Sequence, residues 1–221
     1  MKFLHRHWYD LSAAVGVAIL IVLFAFWGEF SVLQRLSIAS LAAIFFHFFE
    51  EFGFPGGFGK MANTLYYKNS PDITRWPLNQ RSVMIGNWSF ALLFYVPPVF
   101  FPQLIWLGLT PMLFGAISQG LAHGVLNNVL LKRAGFRYGF NSGLITTVPG
   151  HIPLTIAYGY IVETMRLATA WHWVVGFLGA VFAYAVVFRM LIIKSLEDAS
   201  SPYPFDETEM KRFDRLYGCG T

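Results

Sequence analysis

Three stretches of this sequence carry side chains able to bind a metal or move a proton. The first reads Phe45-Phe46-His47-Phe48-Phe49-Glu50-Glu51. On a helix, residues three and four apart share a face, so His47, Glu50 and Glu51 point together while phenylalanines cover the other directions. One imidazole and two carboxylates on one stripe suit a divalent cation such as zinc or iron. They equally suit metal-free acid–base work, with the two carboxylates separated in pKa by burial. The plain alternative is a solvated helix end with both glutamates at the headgroups. The second stretch places Gln119, His123 and Asn127 four residues apart, with Gly120 and Gly124 flanking the histidine. Small residues admit a neighbouring helix, so this face suits an interior site, an interhelical hydrogen-bond set or an oligomer contact. The third is Val148-Pro149-Gly150-His151-Ile152-Pro153, where two prolines should interrupt a helix and free backbone carbonyls around one more imidazole. Arg81, between Asn79 and Asn87, is placed to pair with Glu50 or Glu51, to hold an anionic headgroup or substrate, or to serve as a charge anchor.

The elements that must position these residues follow from composition. Of 221 residues, 56% are apolar and 13% charged, against the roughly 25% charged expected of a soluble domain. Mean hydropathy is +0.51. Disorder, fibrous repeats and a freely soluble globule are excluded, leaving an all-α polytopic transmembrane bundle. A lone cysteine, Cys219, excludes a disulfide framework and a cysteine-rich metal site. Six apolar runs are each long enough to cross about 30 Å of hydrocarbon as a helix. They run from Leu11 to Trp27, Ser31 to Phe52, Ser82 to Pro97-Pro98, Leu104 to Leu131, Leu144 to Val162 and Trp171 to Ile193. The first has a basic start but no small-x-small cleavage site, so it reads as an uncleaved helix.

With six spans, 14 of the 16 Lys and Arg fall on the side of both termini, Arg35 and Arg166 being the exceptions. That asymmetry places both termini in the cytoplasm, and the net charge of +4 serves orientation rather than nucleic-acid binding. Trp27, Trp106, Trp171 and Trp173 fall at the outer boundary, and Trp8, Trp76 and Trp88 near the inner one, as interfacial belts. Residues 1–195 form one transmembrane domain, and 196–221 a cytoplasmic tail. The loop from Gly53 to Gln80 opens as a flexible glycine-rich turn with no completed phosphate motif. In the tail, Asp206 caps a short helix whose Met210, Phe213, Leu216 and Tyr217 form one apolar face, suited to lying on the inner membrane surface.

The string His47-x-x-Glu50-Glu51 resembles the signature of the HXXEE-domain family, small integral membrane proteins suspected to be enzymes. The resemblance covers about residues 10 to 195. It implies roles for His47, Glu50 and Glu51 and supplies no substrate.

In this topology His47, Glu50, Glu51, Arg81, His123, Asn127 and His151 share one depth near the inner leaflet. Ionisable groups there are costly and point to function. The expected function is a membrane-embedded metalloenzyme with His47, Glu50, Glu51, His123 and His151 as metal ligands. One carboxylate would be left as base, with Arg81 and Asn127 in catalytic support. A bound zinc or iron would hydrolyse or oxidise a lipid-like or amphipathic substrate at the inner leaflet of a bacterial inner or plasma membrane. A metal-free acid–base isomerase, and a proton-coupled transporter or lipid-binding protein, remain open alternatives.

Overall fold

A computed structural model describes residues 2–67 and 70–218. Lys68, Cys219 and the side chain of Lys2 lie outside what it describes. Every regular element among the described residues is helical. In chain order these are α1 (Lys2–Ala25), α2 (Val32–Phe52), α3 (Phe58–Leu65), α4 (Gln80–Phe100), α5 (Ile105–Arg133), α6 (144–164), α7 (Ala170–Leu196) and α8 (Glu207–Tyr217). Five of them, α1, α2, α4, α5 and α7, are long and apolar enough to cross a membrane. The sixth expected span, α6, is a continuous helical run but falls outside that group. Pro149, Gly150, His151 and Pro153 dilute its apolarity.

Local signals set the boundaries. Ser31 caps α2, accepting from Gln34 N at 3.3 Å while the Gln34 side chain accepts from Ser31 N at 3.0 Å. Asn79 and Ser82 form the same reciprocal box at the start of α4. Pro97 and Pro98 do not end α4. A π-helical turn at Ala91–Tyr95 precedes them, Val96 N reaches back to Ala91 O, and the helix continues to Phe100. Similar π turns occur at Phe114–Ser118 and Ala122–Leu126 in α5, Thr147–His151 in α6 and Ala183–Ile193 in α7. The prolines of α6 therefore leave it helical: the irregularity is absorbed by a wider turn rather than a break.

α1 packs along α2, α7 along the first half of α5, and α4 against the second half of α7. Trp8 departs from its expected interfacial place. It is fully buried, donates from Nε1 to Gln80 Oε1 at 3.1 Å and packs on Phe48 and Phe52. An indole with a satisfied N–H is as useful inside a core as at a headgroup. Trp27, Trp106 and Trp171 do stay exposed.

Two elements outside the apolar helices are more ordered than the sequence suggests. The Gly53–Gln80 loop contains α3, entered through Gly56 and Gly57 at φ of 75° and 88°, conformations natural to glycine. The tail helix α8 has the expected Asp206 cap, accepting from Glu209 N at 2.9 Å. Its apolar face, however, is not free to lie on a membrane. Phe213 and Tyr217 are buried against Met61 and Leu65 of α3, so the tail belongs to the body of the protein.

Glu209 faces the same contact. It is 1% exposed, accepts from Gly57 N at 3.1 Å and has Arg212 Nη1 at 3.4 Å. Burial outweighs these partners and pushes its pKa up to about 8. An unfolded glutamate ionises near 4.5. Between these values the docked helix holds a proton that the undocked one has released, so docking weakens as pH rises from about 4.5 to about 8 and levels off above. Melting temperature should fall between pH 5 and pH 8.5 in the wild type and fall less in Glu209→Gln. Parallel profiles would refute this.

Candidate metal centre

His47 and Glu51 stand one turn apart on the inner face of α2, and His123 faces them from the π turn of α5. Their exposures are 0%, 6% and 1%. Glu51 Oε1 lies 3.6 Å from His47 Nε2 and 3.3 Å from His123 Nε2. The two imidazole planes are perpendicular with centroids 5.0 Å apart. One ligand atom from each of the three residues lies within 4.8 Å of the others, so the group could hold a metal ion.

The surrounding hydrogen bonds decide which nitrogens face the centre. The Thr146 hydroxyl donates to Glu50 Oε2 at 2.5 Å, so toward His47 Nδ1, 2.7 Å away, it can only accept. His47 therefore carries its proton on Nδ1, leaving Nε2 as a bare lone pair; this buried atom has no hydrogen-bond partner. The Asn141 amide donates to His123 O at 2.8 Å, leaving its Oδ1 to accept from His123 Nδ1 at 2.9 Å. In its neutral form His123 then presents Nε2 to Glu51 as an acceptor as well. With both imidazoles neutral, two lone pairs and a carboxylate oxygen converge, an arrangement that repels itself unless a proton or a cation supplies positive charge. The two separations from Glu51, 3.6 and 3.3 Å, suit a cation: tetrahedral zinc with bonds of about 2.0–2.1 Å sets its ligand atoms about 3.3 Å apart.

The remaining predicted residues take other places. Glu50 lies outside the three-residue group. Its oxygens accept from Ile145 N at 2.9 Å, from Thr146 N at 2.7 Å and from the Thr146 hydroxyl. α6 begins at Gly143, which has no side chain to cap it, and Glu50 supplies the missing acceptor from another helix. A carboxylate so engaged is also not a free base. His151 stands beside His47, with centroids 5.8 Å apart and a buried, unpartnered Nε2, but outside the three-residue group. Asn127 is fully buried in a supporting layer. It donates to Asn141 Oδ1 at 3.2 Å and accepts from the Tyr66 hydroxyl. Arg81 is exposed at the start of α4 and pairs with neither glutamate. The Gly120/Gly124 groove is shallow: a Cβ on Gly120 would meet only Ile152 at 3.8 Å, and one on Gly124 nothing within 4 Å.

The sequence reading missed Thr146, Asn141, Tyr66 and Gly143. The segment 141–146 is held in place from outside the apolar helices, Ser142 N donating to Tyr217 Oη of α8 at 2.9 Å. Gly143 has φ of 97°, and a Cβ there would lie 2.5 Å from His123 Nδ1. Gly143→Ala should therefore displace the His123 ring and weaken metal binding about 10–100-fold, the usual range for disturbing a ligand's support. Titration with zinc in detergent measures it; unchanged affinity would refute the packing argument.

The centre opens on a cavity with about 790 Å³ of space between atoms, part of it continuous with the outside. Ile44, Phe48, Leu78, Val83, Phe90 and Phe114 form apolar walls, while Tyr66, Asn87, Gln119 and Arg189 add polar groups. The class so defined is an all-helical protein, with helices fit to cross a membrane, that buries a His/Glu/His cluster at the edge of a largely apolar cavity. The chain belongs to the family described as proteins of unknown function with an HXXEE motif, whose pattern matches residues 38–158, more than half of its length. His47, Glu50 and Glu51 are that motif. Comparison with curated proteins and with solved structures finds no match.

Proposed function

We propose that this protein is an integral membrane metalloenzyme. His47, Glu51 and His123 hold a divalent cation, and a lipid-like or amphipathic substrate enters through the adjoining cavity. Three converging, buried acceptor atoms at the cavity edge carry the reading. A proton on His123 would satisfy its contact with Glu51 but leave His47 Nε2 without a partner; a cation satisfies all three, which favours the metal over the metal-free reading. Two imidazoles and one carboxylate with an open side is the donor set of catalytic zinc and of non-haem iron sites. When bound, such an ion supplies Lewis acidity for hydrolysis or, for iron, redox chemistry. The chain's own part is to orient and to exclude water. Thr146 and Asn141 fix both imidazoles by their Nδ1–H groups. The phenylalanines around the cavity limit the water that reaches the centre.

The membrane setting rests on the five apolar helices, with α6 proposed as a sixth span lined by the centre. Both termini then lie on the cytoplasmic side of a bacterial inner or plasma membrane, by charge asymmetry. Elemental analysis of protein purified in mild detergent should find about one equivalent of zinc or iron, removable by chelator and restored on adding metal. Less than about 0.2 equivalent after reloading would overturn the assignment.

A further inference from the structure

The cavity contains a charge that the metal centre does not use. Arg189, on the π turn of α7, lines it together with Phe188 and Tyr184. The guanidinium carbon lies 5.0 Å from the centroid of the Tyr67 ring, which lines the cavity too. Among the described residues no carboxylate lies within ion-pair distance of Arg189; Glu197 acts on it only at longer range. A partly buried guanidinium facing apolar walls loses hydration and, unpaired, is expensive. Tyr67 compensates part of that through its ring face, and its stacking leaves the planar fork of N–H donors for another partner.

We infer that Arg189 is the anchor for the anionic head of a single-chain amphiphile whose apolar part lies along the cavity toward His47, Glu51 and His123. This deepens the proposed function by naming its substrate class, a carboxylate- or phosphate-headed amphiphile. The role expected of Arg81 falls instead to a residue 108 positions further along the chain, since Arg81 is exposed and outside the cavity. The walls accept methylene groups without hydrogen bonds, and Arg189 is the one cation lining the cavity among the described residues. An uncharged head gains only ordinary hydrogen bonds there, and a cationic head is repelled by Arg189.

Binding can be read without the metal. Chelator-treated protein in dodecyl maltoside is titrated with octanoate, octyl phosphate, octanol and octylammonium, following melting temperature. In the wild type, octanoate and octyl phosphate should stabilise and octylammonium should not. Stronger octyl phosphate binding would mark a phosphate head as the natural one, stronger octanoate a carboxylate, and both support the anchor. The ratio of octanol to octanoate dissociation constants should fall about tenfold or more in Arg189→Gln, the worth of one charge-assisted contact. Micelle partition cancels when that ratio is compared between wild type and variant, and Arg189→Lys should recover part of it. Should Arg189→Gln not fold, the wild-type comparison decides alone. Equal stabilisation by octylammonium, or a ratio unchanged by Arg189→Gln, would show that Arg189 only anchors the helix at the headgroups and would overturn the inference. A protein that takes up no metal yet keeps the octanoate preference would refute the metal centre while leaving the anchor standing.

Discussion

Glu51→Gln is expected to abolish stoichiometric metal binding while leaving the metal-free protein at least as stable as the wild type. The two halves of that result have one cause. Zinc in four-ligand protein sites is held by about 10–16 kcal/mol, so each ligand contributes about 3 kcal/mol, or about a hundredfold in affinity. Loss of the only anionic ligand in a buried centre should cost more than that average, because the two imidazoles cannot neutralise the ion. In the metal-free state the sign reverses. With both imidazoles neutral, Glu51 Oε1 faces lone pairs at 3.3 and 3.6 Å, and an amide NH2 in its place turns both repulsive contacts into donor–acceptor ones. His123→Ala should likewise lose metal, and it also opens a void. The measurement is elemental analysis of both variants beside the wild type, with melting curves in chelator and in excess zinc. Wild type should gain stability from zinc and Glu51→Gln should not. If Glu51 were instead the carboxylate of a structural ion pair with a protonated His123, Glu51→Gln would melt well below the wild type in chelator. That outcome would sink the metal reading.

How much of this was legible in the chain follows from range. The His47/Glu51 pairing is a property of one helix, and the i, i+4 rule delivers it without any tertiary knowledge. The stripe of Gln119, His123 and Asn127 is legible for the same reason. It survives the π turns of α5, where Gln119 and His123 line the cavity and Asn127 is fully buried. The division of labour between Glu50 and Glu51 was not legible. Adjacent residues on a helix differ by about 100° of rotation, and which one meets the centre depends on where α6 begins. Gly143 leaves the α6 start uncapped, a local signal that some acceptor must come from elsewhere, but no local signal names Glu50. Arg189 reads in sequence as one of many positive charges near an inner boundary. Only the wider turn of α7, setting it beside Tyr184 and Phe188, makes it a cavity residue. The apolar face of α8 was legible, but no local signal says that it packs on α3 rather than on a membrane surface, and α3 itself is too short to stand out within its loop.

Glu50→Gln, one residue away, should do the opposite of Glu51→Gln. Glu50 accepts three hydrogen bonds, two of them from the backbone N–H groups at the start of α6, at 2.7 and 2.9 Å. It is 4% exposed, so water cannot substitute. A glutamine keeps one acceptor oxygen and turns its NH2 toward a backbone N–H at the start of α6. Breaking a buried charged interaction of this kind costs about 3–5 kcal/mol. For a chain of this size each kcal/mol moves the melting temperature about 2–4 °C, so a drop of about 6–20 °C is expected, in chelator and in zinc alike. Metal affinity should fall as well, about 10–100-fold, because Thr146 loses the acceptor that makes it receive the His47 Nδ1–H. Melting curves and zinc titrations on the two variants side by side test the assignment. A Glu50→Gln protein with wild-type stability would mean that the α6 N-terminus is satisfied without Glu50, and the supporting role drawn for it would be wrong. The motif would then hold two interchangeable carboxylates. In the structure the first glutamate instead accepts from the start of α6 and the second lies between the two imidazoles.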